Sequence, residues 1–186
     1  MKVAILAKGP TLQKFSGIDG EVWGLNQVGR SHNLDRLFVM DDLRIRMPIW
    51  DSELPEFLKG YDKPIYTSRV YPEFKTSVEY PLADVSKRFG VPLGISFYST
   101  VDYMIALAVY EGYDVIDLYG VDCTQPKREE RERVSIARWI TVAQANGIEV
   151  RAQSGSFFSW FTNTGTVYEH ALYGYVGTPR IEELVA

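Results

Sequence analysis

The chain has 186 residues and a formal net charge of −4, so no overall attraction to nucleic acid or to an anionic membrane is expected. Its single cysteine, Cys123, excludes an internal disulfide bond, and no apolar run reaches the roughly 18 residues of a membrane span. These features predict one cytoplasmic domain over residues 1–186 and leave a homo-oligomer open. Residues 153–186 are aromatic-rich and are predicted as a C-terminal extension of this domain.

The first apolar run, at residues 2–7, predicts a buried strand, and the loop Lys8-Gly9-Pro10-Thr11 follows it directly. Thr11 is suited to cap a following turn while exposed N–H groups and the Lys8 ammonium face an anion. The loop is therefore a candidate phosphate site. It also fits a plain exit from a strand, and it matches neither of the common glycine-rich nucleotide-binding fingerprints.

The next two predicted strands also end in polar residues. Residues 21–26 end in Asn26, which is suited either to pair with a base or ribose or to cap the turn that follows. Residues 37–40 lead into Asp41 and Asp42, whose carboxylates suit a ribose diol, a divalent ion such as Mg²⁺ or Mn²⁺, or the cap of a short helix. The pattern alone leaves these alternatives open.

Weaker signals occupy the middle of the chain. A short helix is predicted at residues 52–59 and a strand at residues 64–67, after which Ser68 and Arg69 form another polar strand end. Arg69 has the fork geometry that binds phosphate, although surface arginines are common. An edge strand at residues 77–80 and a helix at residues 82–89 follow.

The best-defined segment is residues 99–124, in which apolar residues at helical spacing precede Gly112 and a buried parallel strand follows at residues 114–121. Ligands of open α/β sheets sit outside the carboxyl ends of the strands and near helix N-termini. The residues placed on this expected ligand side are Ser99, Thr100, Gly120 and Asp122.

A long helix at residues 127–146 begins with the charged run KREERER, which is typical of a solvated face with pairs such as Glu129 with Arg133. A last strand is predicted at residues 148–152. The alternation of strands and helices predicts a Rossmann-like three-layer α/β sandwich with a mainly parallel sheet. The polar strand ends then share one edge, which favours a nucleotide or another phosphorylated ligand.

Five short motifs follow one another along the chain: Ala7-Lys8-Gly9-Pro10-Thr11, Leu25-Asn26-Gln27, Ser99-Thr100, Gly112-Tyr113 and Gly120-Val121-Asp122. This order resembles the bacterial sialyltransferase-like Rossmann group, with the related motility accessory factor and hydroxymethylpterin pyrophosphokinase-like proteins and short phage-encoded members. Their first loop reads Gly-x-Gly-Pro-Ser, and Lys8 departs from its usual asparagine.

In sialyltransferases these elements surround a cytidine nucleotide. The resemblance therefore implies nucleotide contacts at Gly9, Pro10, Thr11, Asn26, Ser99, Thr100 and Asp122. It also implies a catalytic histidine in the C-terminal region, where this chain has His170, although a lone histidine is often structural.

Together, the residues and the resemblance predict a nucleotide-dependent transferase, glycosyltransferase-like and using a nucleotide sugar, in which Asp41, Asp42 or His170 supplies base or metal function. The cofactor that this prediction allows is a divalent metal ion, Mg²⁺ or Mn²⁺. The alternatives are a pyrophosphokinase-like phosphotransferase and a non-catalytic protein that sequesters a nucleotide.

Overall fold

The computed structural model describes residues 1–43, 51–90, 96–125 and 127–162. Within these residues lie seven strands: β1 (Lys2–Leu6), β2 (Glu21–Leu25), β3 (Arg36–Val39), β4 (Ile65–Thr67), β5 (Ser77–Glu79), β6 (Val115–Tyr119) and β7 (Glu149–Ala152). They form one sheet in the order β5-β4-β3-β2-β1-β6-β7, and every neighbouring pair is parallel. The predicted parallel sheet is confirmed.

The helices of the described residues are α1 (Leu54–Lys59), α2 (Leu82–Phe89), α3 (Thr100–Glu111), α4 (Glu130–Ala145) and α5 (Ser159–Thr162), with two 3₁₀ turns at Pro10–Lys14 and Asn26–Arg30. α4 begins later than its charge pattern predicts. The reason is a separate turn before it, in which the N–H groups of Arg128 and Glu129 donate to the Gln125 carbonyl at 3.2 and 3.0 Å.

The sheet has an apolar layer on each face, because successive side chains of a strand point to opposite sides. In β1, Val3 and Ile5 pack in the cluster that contains the buried residues of α3 and α4. Ala4 and Leu6 pack in the other cluster, with the buried residues of α1. This arrangement confirms the predicted three-layer sandwich.

Helix α3 is the central element of the first layer. Ser99 is its N-cap residue and Gly112 ends it with a positive φ of 78°. Its apolar residues are buried around most of the helix, from Val101 through Val109. Because α3 runs towards the amino end of β6, its own amino end lies at the carboxyl edge of the sheet.

The order of the strands creates a switch point between β1 and β6. The chain moves outward from β1 through β5 and then returns through α3 to β6 on the other side of β1. Ligands of doubly wound sheets bind outside the carboxyl ends of the strands at such a point. Among the residues that the structure describes, no helix combines the length and the apolar character needed to cross a membrane.

Candidate nucleotide site

A cleft of about 710 Å³ opens at the β1/β6 switch point, within the range of small-molecule sites. Its walls are the carboxyl ends of β1, β2, β3 and β6, the amino end of α3 and the first turns of α4. The predicted site residues in these walls are Lys8, Gly9, Pro10, Asn26, Asp41, Ser99, Thr100, Gly120 and Asp122. The structure therefore brings most of the predicted site residues together.

Four other predicted site residues, Thr11, Asp42, Ser68 and Arg69, do not line the cleft. Ser68 and Arg69 are exposed beyond the end of β4, where an Arg69 Nη2 atom lies 3.3 Å from a carboxylate oxygen of Asp42. Thr11, the last residue of the first loop, is buried and does not line the cleft. His170 falls outside the described residues, so its catalytic role stays a prediction.

The first loop is fastened to the segment that follows β6. The N–H of Gly9 donates to the Gly120 carbonyl at 2.8 Å, which continues the pairing of β1 with β6 past the strand ends. Thr11 donates from its N–H to Asp122 Oδ2 at 2.8 Å and from its hydroxyl to Asp122 Oδ1. The Thr11 hydroxyl in turn accepts the N–H of Gly120 at 2.9 Å.

These bonds correct one expectation about the first loop. The N–H groups of Gly9 and Thr11 are already occupied, and Pro10 has none, so the loop does not present a row of exposed amides. What remains for an anion is the exposed Lys8 side chain at the cleft wall.

The close approach of the two loops depends on glycine at both contact points. A Cβ added at Gly120 would lie 2.2 Å from the Ala7 carbonyl oxygen, and φ at this position is +67°. A Cβ added at Gly9 would lie 2.4 Å from an Asp122 carboxylate oxygen. Both glycines therefore allow the first loop to pack against the end of β6, and we call this contact the β1/β6 junction.

Asn26 carries the clearest sign of a missing ligand. It takes a φ of 48° directly after β2, in the left-handed region that asparagine tolerates better than most residues. The residue is 8% exposed and lines the cleft, yet its Oδ1 atom accepts no hydrogen bond from the described residues. A buried oxygen without a donor costs roughly 1–3 kcal/mol, and a ligand N–H or O–H in the cleft would supply the donor.

The loop after β6 is held from its far side by three other groups. Ser156 Oγ donates to the Val121 carbonyl at 2.6 Å, and the Phe157 N–H donates to the Asp122 carbonyl at 2.7 Å. Arg133 donates through Nε to the Cys123 carbonyl at 2.6 Å, instead of forming the predicted pair with Glu129. The described part of the C-terminal extension therefore braces the cleft wall.

Asp102 joins the two helices that flank the cleft. It is fully buried, and its Oδ2 atom accepts the N–H groups of Tyr98 and Ser99 at 2.7 Å each and the Ser135 hydroxyl at 2.9 Å. Burial raises the pKa of Asp102 to about 7, although these hydrogen bonds act in the opposite direction. Ser135 lies on α4, so this carboxyl group fixes the amino end of α3 against α4.

We expect Asp102→Asn to change the pH dependence of stability. Because the folded-state pKa of Asp102 is about 7, against 3.8 for an ordinary aspartate, the unfolded chain loses this proton first as pH rises. The contribution of Asp102 to the free energy of unfolding should fall between about pH 4 and 7, by at most ~1.4 kcal/mol per pH unit. The Tm of Asp102→Asn relative to wild type should therefore rise from pH 5 to pH 8.

The control for this measurement is Asp84→Asn, which removes an exposed carboxylate from the first turn of α2. A Tm difference between Asp102→Asn and wild type that stays constant from pH 5 to pH 8 would show that Asp102 ionises normally in the folded protein.

Cys123 lines the cleft with a φ of 46°. Burial and the nearby negative charges of Glu129 and Glu132 raise the pKa of its thiol to about 12. The thiol therefore stays protonated at neutral pH, which makes it a poor nucleophile.

Tyr98, Arg128 and Glu132 are among the cleft residues that were not predicted from the sequence. Arg128 and Glu132 are four residues apart within the charged run that was interpreted as a solvated face. Ile136, four residues further on, is buried and also lines the cleft. Residues four apart lie on the same face of a helix, so an apolar residue at position 136 indicates that the face with Arg128 and Glu132 is not fully exposed to solvent.

Asp41 and Asp42 were predicted as candidate ligands of a divalent ion. In the described ranges, no three His, Cys, Asp or Glu side chains are grouped so that they could hold a metal ion. Asp41 lines the cleft, whereas Asp42 lies beside Arg69. Within the described residues, Asp41 and Asp42 therefore do not belong to a preformed site of three or more protein ligands.

Neither a protein-family model nor a curated protein sequence matches the chain. Its fold is sialyltransferase-like. It is 18% identical to the sialyltransferase CstII from Campylobacter jejuni in complex with the substrate analogue CMP-3FNeuAc, with a TM-score of 0.53 over 81% of this chain and 79% of that chain.

Two further structures agree. CstII with a trisaccharide acceptor and CMP is 18% identical, with a TM-score of 0.53 over 82% of this chain and 80% of that chain. The apo α-2,3-sialyltransferase from Campylobacter jejuni is 16% identical, with a TM-score of 0.53 over 81% of this chain and 74% of that chain. The resemblance predicted from the motifs is confirmed as a shared fold.

Proposed function

We propose that this protein is a glycosyltransferase-like enzyme that binds a nucleotide sugar, of the cytidine monophosphate type, in the β1/β6 cleft. The observation that carries the proposal is the buried Oδ1 atom of Asn26, which lines the cleft and has no donor among the described residues. The fold shared with sialyltransferases that were solved with CMP and CMP-3FNeuAc supports the same ligand class.

The walls of the cleft supply the groups that such a donor needs. The amino end of α3, at Ser99 and Thr100, favours an anion because of the helix dipole, and the Lys8 ammonium adds a positive charge. Asn26 would accept a hydrogen bond from the nucleoside. Thr11 and Asp122 hold the first loop in place, and a direct contact of either with the nucleotide stays a prediction.

The reaction also needs a group that takes a proton from the acceptor hydroxyl. Of the residues predicted for this role, Asp41 is half-buried in the cleft wall, Asp42 lies beside Arg69, and His170 is outside the described residues. A single-domain organisation, a cytoplasmic location, a homo-oligomer and a phage origin all stay predictions.

We expect Lys8→Ala to weaken CMP binding by about tenfold, because it removes the exposed ammonium from the cleft wall and with it roughly 1.4 kcal/mol of attraction to a phosphate. The Tm of the unliganded protein should not change, since Lys8 makes no hydrogen bond or ion pair within the described residues. Titration calorimetry checks the affinity. Lys63→Ala, an exposed lysine before β4, is the control, and equal CMP affinity in both variants would remove Lys8 from the site.

The proposed function is tested by following CMP release from CMP-linked sialic acid, with and without added mono-, di- and trisaccharides. Release that depends on the saccharide supports a transferase. CMP binding without turnover of any nucleotide sugar would instead support the sequestering alternative. Formation of AMP from ATP in the presence of Mg²⁺ would support the pyrophosphokinase-like one.

A further inference from the structure

The mouth of the cleft between α3 and α4 combines an aromatic ring, a cation and a carboxylate. Tyr98, Arg128 and Glu132 all line it, and we call this group the α4 mouth. None of the three has a role in binding the nucleotide as proposed above. Flat aromatic faces beside polar groups suit a sugar ring, which offers apolar C–H groups on one face and hydroxyl groups at its edge.

Tyr98 is presented outward from a fixed backbone. Its N–H donates to Asp102 at 2.7 Å, and the preceding residue, Phe97, packs on Tyr103 and Trp139 with ring centroids 4.6 and 5.3 Å apart. Tyr98 is nevertheless 46% exposed to solvent. The guanidinium carbon of Arg131 lies 5.7 Å from the centre of its ring, which places Tyr98 beside the first turn of α4.

Glu132 is one of two cleft carboxylates, with Asp41, that are accessible and unpaired among the described residues. It is half-buried, and its carboxylate has no hydrogen-bond or ion-pair partner within residues 1–43, 51–90, 96–125 and 127–162. The other carboxylates near this wall are occupied: Glu129 accepts the Gln125 N–H at 2.7 Å, Asp122 is bound by Thr11, and Asp102 is enclosed.

The position of Glu132 is fixed by the helix that carries it. The Ser135 hydroxyl reaches both the Glu132 carbonyl, at 3.2 Å, and the buried Asp102 carboxyl, at 2.9 Å. The helical turn that bears Glu132 is thereby tied to the amino end of α3. Asp41, the other open carboxylate of the cleft, follows β3, whereas the exposed ring of Tyr98 lies beside α4.

We propose that the α4 mouth is the acceptor subsite of this enzyme, that it takes a sugar ring stacked on Tyr98, and that Glu132 is the general base. This inference rests on the proposed function and adds an acceptor class and a catalytic residue to it. The Asn26 Oδ1 atom, which is buried in the same cleft and has no donor among the described residues, is the independent sign that the cleft holds a ligand.

The chemical step balances without a further reactant. The Glu132 carboxylate takes the proton of the acceptor hydroxyl as that oxygen forms a bond to the anomeric carbon of the donor sugar. The bond from the anomeric carbon to the phosphate oxygen breaks, and its electron pair leaves with the nucleoside monophosphate. The proton on Glu132 then passes to solvent.

The test is Glu132→Gln, measured in parallel for CMP affinity and for CMP release with a saturating saccharide acceptor. We expect turnover to fall by roughly 10²–10⁴ while CMP affinity stays within about twofold, because the base acts on the acceptor and not on the nucleotide. Glu130→Gln, an exposed charge on the same helix that does not line the cleft, is the matched control.

Tyr98→Ala tests the stacking surface separately. The acceptor KM should rise by about tenfold or more, whereas the donor KM should not change. Tyr110→Ala, which removes a similarly exposed ring (42%) near the other end of α3, should leave both constants unchanged.

The possible outcomes separate this inference from the proposed function. If Glu132→Gln transfers sugar as fast as the wild-type enzyme, Glu132 is not the base, and the glycosyltransferase proposal still stands. A wild-type protein that transfers no sugar to any saccharide overturns both. If His170→Ala or Asp41→Asn loses turnover and Glu132→Gln does not, the base lies at that other residue.

Discussion

Replacing Gly120 with alanine should lower the Tm by more than about 10 °C, the largest stability effect expected from a single substitution in the cleft. The added Cβ would lie 2.2 Å from the Ala7 carbonyl oxygen and 3.1 Å from the Gly9 nitrogen, both backbone atoms that cannot rotate away. The ends of β1 and β6 would have to separate, which would break the bond from the Gly9 N–H to the Gly120 carbonyl.

Gly112→Ala is the matched control, because it isolates the cost of the backbone conformation. Gly112 has a φ of +78°, close to the +67° of Gly120, but a Cβ there would meet no atom within 4 Å. The control should lose only the ~1–2 kcal/mol of left-handed strain, or about 2–8 °C in Tm. Thermal unfolding of both variants checks this, and equal losses would mean that the β1/β6 junction is not tightly packed.

Asn26→Gly should weaken CMP binding by about 100-fold while the protein remains folded. Glycine accepts the φ of 48° without strain, so the change removes the side chain and keeps the backbone. The lost hydrogen bond in a buried site corresponds to roughly 2.7 kcal/mol. An alanine at this position would combine the loss of the hydrogen bond with backbone strain, because its Cβ disfavours this conformation.

Asn33→Gly is the control for Asn26→Gly, because Asn33 is exposed in the loop before β3 and does not line the cleft. Calorimetric titration of both variants with CMP measures the difference. If Asn26→Gly bound CMP as tightly as Asn33→Gly, the buried oxygen of Asn26 would have no role in nucleotide recognition.

Most of the fold could be predicted from local patterns. The strand β1 is a short apolar run. Helix α2 was predicted at its observed bounds, Leu82–Phe89, because Gly90 follows it. In the structure Gly90 ends this helix with a positive φ of 60°. Short strands followed by helices leave little choice but a parallel sheet with crossovers. The edge strand predicted at residues 77–80 is β5, Ser77–Glu79, which lies at one end of the sheet.

The contacts inside the cleft could not be predicted in the same way, because they join residues distant in the chain. Thr11 and Asp122, predicted as ligand contacts, bind each other across 111 positions. Arg133 reaches the Cys123 carbonyl instead of the neighbouring Glu129. Both depend on the register between β1 and β6 and on the position of α4, which no local pattern specifies.

The measurement that tests the central claim most directly is a titration of the ¹⁵N-labelled protein with CMP, followed by the chemical shifts of its backbone amides. We expect saturable binding, with the largest shifts at the cleft residues Asn26, Ser99, Thr100 and Gly120. The absence of any shift at millimolar CMP, or saturable shifts confined to residues away from the β1/β6 switch point, would contradict the claim.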